Sequence, residues 1–192
     1  MRRLYDWTLD QATKPHALWF LAFIAFIESS IFPIPPDILI IPMVLAVRSR
    51  AWLVAGVATV ASVTGGLAGY GIGYYLFDDI GLPLLEFYGK AESFEMFKGW
   101  YNDFGAWIVF GAGITPFPYK VITIASGVTQ LNLGVFMIAS VLARAARFFL
   151  VAGLLWYFGP VIREFIEKRL GLLTILFFVS LIGGFVALKY LM

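Results

Sequence analysis

Apolar residues fall along this chain in blocks too long for a soluble core and too often interrupted for a simple membrane anchor. A helix that crosses the hydrocarbon of a bilayer needs about 20 apolar residues. Ala51 to Phe77 and Gly171 to Met192 meet that length, and Leu133 to Phe158 meets it with Arg144 and Arg147 near its centre. The other blocks are shorter and come in pairs. Ala17 to Phe32 leads through Pro33, Pro35 and Pro36 into Ile38 to Val47, and Phe104 to Ile114 leads through Pro116 and Pro118 into Val121 to Val128. Two short arms around a proline tip predict a re-entrant hairpin, whose non-helical tip must be enclosed by protein or line a cavity. The competing reading of each pair is two ordinary spanning helices with a proline kink.

The order of hairpin then span occurs twice. A shift of 83 residues lays SIFPIPPDILII (Ser30 to Ile41) over GITPFPYKVITI (Gly113 to Ile124), matching Ile31, Pro33, Pro35 and Ile41 with Ile114, Pro116, Pro118 and Ile124. The predicted fold is therefore an all-α polytopic membrane protein, one domain over residues 1–192. Residues 1–77 form the first repeat, with a hairpin over 17–47 and a span over 51–77. Residues 78–103 are an acidic connector. Residues 104–158 form the second repeat, with a hairpin over 104–131 and a span over 133–158, and a C-terminal span covers 171–191.

Charge orients this arrangement. Arg2, Arg3, Lys14, Arg48, Arg50, Arg163, Lys168 and Arg169 fall on one side, against Lys90, Lys98 and Lys189 on the other, so the N-terminus is expected in the cytoplasm. A single crossing between the hairpins makes them dip from opposite faces, an inverted repeat that places a substrate site at the midplane.

Composition narrows the function classes. Charged residues make up 14% of the 192, where a soluble domain carries about a quarter, and 61% are hydrophobic, which excludes both a soluble domain and a disordered chain. A net charge of +2 with no long basic run excludes nucleic acid as a partner. With no cysteine, disulfides and thiol chemistry are excluded, and His16 alone cannot supply a histidine metal cluster. No metal or cofactor is expected. Nor is an enzyme expected, because the chain lacks HExxH, further histidines for a histidine-phosphorylating phosphatase, and the paired aspartates of an intramembrane protease. Arg2, Arg3 and Lys14 precede the first apolar block as in a signal sequence, but Glu28 and the prolines that follow predict that it is retained.

Two patterns have structural readings. Phe94, Phe97, Tyr101 and Phe104 recur at helical spacing in the connector, which predicts a helix lying in the outer interface. GGLAGYGIG lies inside an apolar span without a preceding strand or a P-loop lysine, which argues against a nucleotide loop. Ala61, Gly65, Gly69 and Gly73 fall four apart instead and form a ridge that admits another helix closely.

Five ionisable residues lie at membrane depth: Glu28, Asp37, Lys120, Arg144 and Arg147. Each costs roughly 2.5 to 3.5 kcal/mol at the centre of a spanning helix, so each must face protein or a water-filled cavity. Asp37 and Lys120 follow the two proline tips, and Arg144 and Arg147, three apart, share a helix face. One reading is a salt-bridge network that only ties the halves together. Against it, two acids and three bases leave one positive charge over, which an anionic headgroup would complete. Glu28 and Asp37 are candidates for ion pairing or for carrying a proton.

The same residues carry a family resemblance. FIESSIFPIPPDILIIP followed by GGLAGYGIGYYL resembles the DedA family of membrane proteins (the SNARE-associated or VTT domain), and ITPFPYKVITIASG resembles its YqaA-like branch, over roughly residues 15–160. The resemblance implies two opposed re-entrant hairpins and a role in moving lipids between leaflets, with undecaprenyl phosphate or a phospholipid as cargo. Glu28 and Asp37 match the acids of the first motif, and Lys120 the basic residue after the second proline. The commoner pattern has an arginine just before the second tip, where Gly113 stands here, which leaves that charge to Arg144 or Arg147. The expected function is a lipid translocase of flippase or scramblase type in a bacterial inner membrane, with headgroup binding at Lys120, Arg144 and Arg147. Membrane lipids are its partners, protons a candidate coupling ion, and a second copy of the chain a candidate partner through the glycine ridge. The alternatives are a proton-coupled transporter or antiporter for small solutes, and a non-transporting assembly factor.

Overall fold

A computed structural model describes residues 16–31, 35–87, 89, 91–115, 117–159 and 161. Pro33, Pro116 and the C-terminal apolar block at 171–191 lie outside them. Among the described residues the chain is helical throughout: α1 (His16–Ser30), α2 (Asp37–Ala46), α3 (Ala51–Leu76), a π turn (Phe77–Gly81), α4 (Leu82–Phe87), α5 (Ala91–Ile114), α6 (Tyr119–Val128) and α7 (Leu133–Gly159). Two helical stretches, Arg48–Asp79 and Leu133–Gly159, are long and apolar enough to cross a membrane. Much of their surface is lipid-like, with Val60 66% and Ile138 65% exposed.

Local chemistry sets the ends of the short helices. Pro36 occupies the N-cap of α2 at φ −64°, and Asp37 in the first turn places its carboxylate near the positive end of the helix. Pro118 starts α6 in the same position. That helix stops where Gln130 turns left-handed at φ 56°, with the Leu131 amide donating to the Ser126 carbonyl and the Gln130 amide to Gly127, a Schellman closure. Asn132 then caps α7 by accepting from the Val135 amide at 3.2 Å.

The two long helices run antiparallel. Trp52 lies against Trp156, Ser62 meets Arg144, and Tyr70 packs on Phe136, so each advance along α3 matches an equal retreat along α7. Each broken pair sits toward a different end of this couple. Leu21 of α1 and Ile40, Met43 and Val44 of α2 join the first half of α3 (Val54, Ala58) and the second half of α7 (Phe148, Ala152) in one core cluster. Tyr101 and Val109 of α5 and Tyr119 of α6 join Tyr70 late in α3 and Phe136 early in α7 in the other.

The glycine ridge is filled by the chain's own helices. A Cβ at Gly65 would strike the Phe26 carbonyl of α1, one at Gly69 would strike the Thr123 side chain of α6, and one at Gly73 the Ile124 carbonyl. Gly127 returns the contact, since a Cβ there would strike the Tyr70 carbonyl. Only glycine admits backbones this near. The connector differs from the sequence outline in one respect. Its aromatic stripe and the first arm of the second hairpin are a single helix, α5, unbroken across Phe104. Its polar residues Asn102 and Asp103 interrupt the hydropathy and not the helix, because they occupy one sector of the helix surface.

Candidate functional site

The five charges expected at depth converge. α1 delivers Glu28 on its last turn, α2 opens with Asp37, α6 carries Lys120 on its first turn, and α7 presents Arg144 and Arg147 from consecutive turns. Ser62 and Arg144 are each the twelfth residue of their long helix, counted from Ala51 and Leu133. At about 1.5 Å per residue both lie some 18 Å along helices of roughly 40 Å, near mid-length.

Arg144 is the deepest group, 1% exposed. Its Nη2 donates to Glu28 Oε2 at 2.7 Å and its Nε to Ser62 Oγ at 2.6 Å. Ser62 Oγ is 2.6 Å from Ser29 Oγ, and Ser29 in turn donates to Glu28 Oε2 at 3.1 Å. The direction is fixed: with the Ser29 hydrogen on Glu28, the Ser62 hydrogen must go to Ser29, so the ring of four side chains ends on one carboxylate oxygen. The guanidinium is sandwiched between rings, its carbon 4.7 Å from the Tyr119 centroid and 4.6 Å from that of Phe148. Tyr119, itself buried, donates to Ser140 at 2.5 Å. Of the Arg144 nitrogens, Nη1 has no acceptor among the described residues.

Arg147 and Lys120 act on the tips. Arg147 Nη2 donates to Asp37 Oδ2 at 2.6 Å and its Nη1 to the Thr115 carbonyl at 2.8 Å, so one guanidinium ties the start of α2 to the end of α5. Lys120 Nζ donates to the Ile31 carbonyl at 3.0 Å, just past the end of α1. The ends of α1 and α5 thus each present a carbonyl held by a cation, the favourable sign at a helix C-terminus. The Thr123 hydroxyl adds a further contact, its one hydrogen shared between the Ser29 carbonyl at 3.0 Å and the Lys120 carbonyl of its own helix at 2.9 Å.

Between the tips lies a cavity of about 320 Å³, lined by Glu28, Pro35, Pro36, Asp37, Phe117, Pro118, Lys120 and Arg147. Its size suits a small headgroup. Both arginines have a carboxylate partner; Lys120 has none among the described residues. The described residues hold no group of three His, Cys, Asp or Glu that would bind a metal. Ser29, Ser62, Tyr119 and Phe148 were not singled out by sequence. Ser62 shares its apolar span with Thr59 and Thr64, so its hydroxyl alone did not mark it.

Residues 34–157, 124 of the 192, match the VTT domain, a stretch that contains Asp37, Lys120, Arg144 and Arg147. A protein of Haemophilus influenzae described only as uncharacterized is 36% identical over 167 residues, 87% of this chain and 86% of that protein. An uncharacterized protein of Histophilus somni is 40% identical over 156 residues, 81% of each chain. No solved structure matches the chain.

Proposed function

Because the chain belongs to the VTT-domain family, the DedA family of membrane proteins, we propose that the cavity between its proline tips receives the anionic headgroup of a lipid and passes it between leaflets. In this reading α1–α2 and α5–α6 are re-entrant hairpins entering from opposite faces of an inner membrane, with the N-terminus cytoplasmic and α3 and α7 as the spans between them. The antiparallel course of α3 and α7, with a hairpin toward each end, supports that topology.

One observation carries the function. Glu28 with Arg144 and Asp37 with Arg147 are neutral pairs, and Lys120 is a cation beside the cavity with no carboxylate to balance it among the described residues. An ammonium at mid-depth with no counter-ion is costly unless an anion joins it. The headgroup would sit against Lys120 and Arg147, while Arg144, walled in by rings, holds Glu28 and α3 in place. Lipid tails remain in hydrocarbon beside the exposed apolar surface.

Reconstitution in liposomes with a fluorescent lipid phosphate tests this. The protein is expected to move the lipid faster than protein-free vesicles do, and Lys120→Ala and Arg147→Ala to slow it. Equal rates for wild type and these variants would overturn the proposal.

A further inference from the structure

The surface of α7 that turns away from the charged site is itself shaped for a partner. We propose that the apolar block Gly171–Met192, which lies outside the described residues, returns antiparallel along α7 as a helix of the same chain and fills the groove between α7 and α5. The inference rests on the spanning topology of the reading just given and not on its cargo.

The groove is bounded by two close contacts. A Cβ at Gly105 of α5 would strike Leu131, just before α7, and one at Gly113 would strike Ala143. Both contacts advance together, so α5 and α7 run side by side in the same direction. Between the contacts the helices part, and a cavity of about 430 Å³ opens among Trp107 and Phe110 of α5 and Val135, Ile138 and Leu142 of α7. Eight residues of α5 separate Gly105 from Gly113, so the groove is about 12 Å long, roughly two turns of helix.

An open ridge continues from it. Ile138, Leu142, Ala146, Leu150 and Leu154 follow one another at intervals of four, and all five are exposed. The other side of α7, with Phe136, Arg144, Phe148 and Ala152, is buried against α3 and the two hairpins.

The chain beyond α7 points to the occupant. Residues 162–170 carry Arg163, Glu164, Glu167, Lys168 and Arg169, charges that stay in water on the side where α7 leaves the bilayer. The 22 residues from Gly171 to Met192 hold one charge, Lys189, and span about 33 Å as a helix. A segment that starts beside the end of α7 and crosses back must run antiparallel to it. Its nine-residue tether gives it an effective concentration on the order of millimolar, an advantage that a second copy lacks. The VTT match stops at residue 157, so the docked segment is an addition to that domain.

The two faces are complementary. With Gly171 level with Gly159, Ser180 and Gly184 stand opposite Leu150 and Ala146, and Leu188 and Met192 opposite Leu142 and Ile138. Helices in lipid associate by close packing, which small residues permit. Ser180, Gly184 and Ala146 permit it over the middle of α7. Leu188 and Met192 are the large side chains for which the groove has room.

The chain has no cysteine, so disulfides between introduced pairs test the contact directly. Such a bond needs Cα atoms about 4.4 to 6.8 Å apart. The full-length protein in liposomes is oxidised and run on non-reducing gels. Ala146→Cys with Gly184→Cys should cross-link within one chain, giving a product of monomer mass, and a cysteine scan of residues 180–188 against Ala146→Cys should peak every three to four positions. Leu142→Cys with Leu188→Cys makes the same test should the first pair fail to fold. Val60→Cys with Gly184→Cys is the control, because Val60 is exposed at the same depth on α3, and its yield should be several-fold lower. Products of twice the monomer mass alone would place a second copy's segment in the groove and overturn the inference. So would a yield no higher than the control, or no cross-link at any scanned position, which would leave lipid in the groove. Lipid movement is measured separately in the same liposomes, so each of these failures leaves the transport reading standing.

Discussion

Glu28 and Arg144 stand 116 residues apart in the chain and 2.7 Å apart in space, joined at mid-length of the two long helices. Neither has another charge of opposite sign within bonding distance among the described residues. Removing one partner leaves a buried ion, which typically costs 3 to 5 kcal/mol, whereas replacing both with apolar groups of similar volume is often near neutral. Glu28→Leu and Arg144→Met should each lower the melting temperature in detergent sharply, and the double variant should recover most of the loss. Additive losses would mean that the pair does not act as a unit.

The hydroxyls that complete this ring should behave unlike other hydroxyls in the same helix. Ser62 is buried and accepts from Arg144, whereas Thr64 is partly exposed and bonds back to the Val60 carbonyl of its own helix. Ser62→Ala strands a charged donor and should cost about 1.5 to 3 kcal/mol. Thr64→Ala should change stability by no more than about 0.5 kcal/mol. Similar losses at both positions, read from paired melting curves, would contradict the geometry.

The glycines divide into two sets. At Gly65, Gly73 and Gly127 an added methyl meets backbone of another helix, but at Gly56 and Gly71 it meets nothing within 4 Å. Alanine at the first set should cost about 1 to 3 kcal/mol or prevent folding. Alanine at Gly56 or Gly71 should be neutral or stabilising, because glycine is the poorer helix former by about 1 kcal/mol. The ridge is used within one chain, so Gly65→Ala should reduce stability at every protein concentration, as dilution series of the melting temperature would reveal.

These contrasts also mark what the sequence could disclose. Lipid tolerates neither unpaired charge nor unsatisfied backbone, so five ions and two proline tips in apolar surroundings already pointed to one enclosed site. Which arginine serves which acid was not legible. Arg144 and Arg147 share a face, and the assignment depends on how closely α1 approaches α3, a distance set by Gly65 under the Phe26 carbonyl. Ser29 and Ser62 were hidden for a related reason: a hydroxyl in a helix usually bonds its own backbone, as Thr59 does to Ala55, and only the tertiary contact reveals the exception. The continuity of α5 escaped a reading by hydropathy, because the composition changes along the helix while its conformation does not.

Lys120 carries the central claim, and its charge can be changed without touching either ion pair. The decisive measurement is the rate at which a fluorescent lipid phosphate crosses proteoliposomes containing wild type, Lys120→Met or Lys120→Arg at equal protein density. The account predicts at least a tenfold slower rate for Lys120→Met, most of the rate retained in Lys120→Arg, and similar melting temperatures for all three. A Lys120→Met protein that folds normally and moves lipid at the wild-type rate would contradict it.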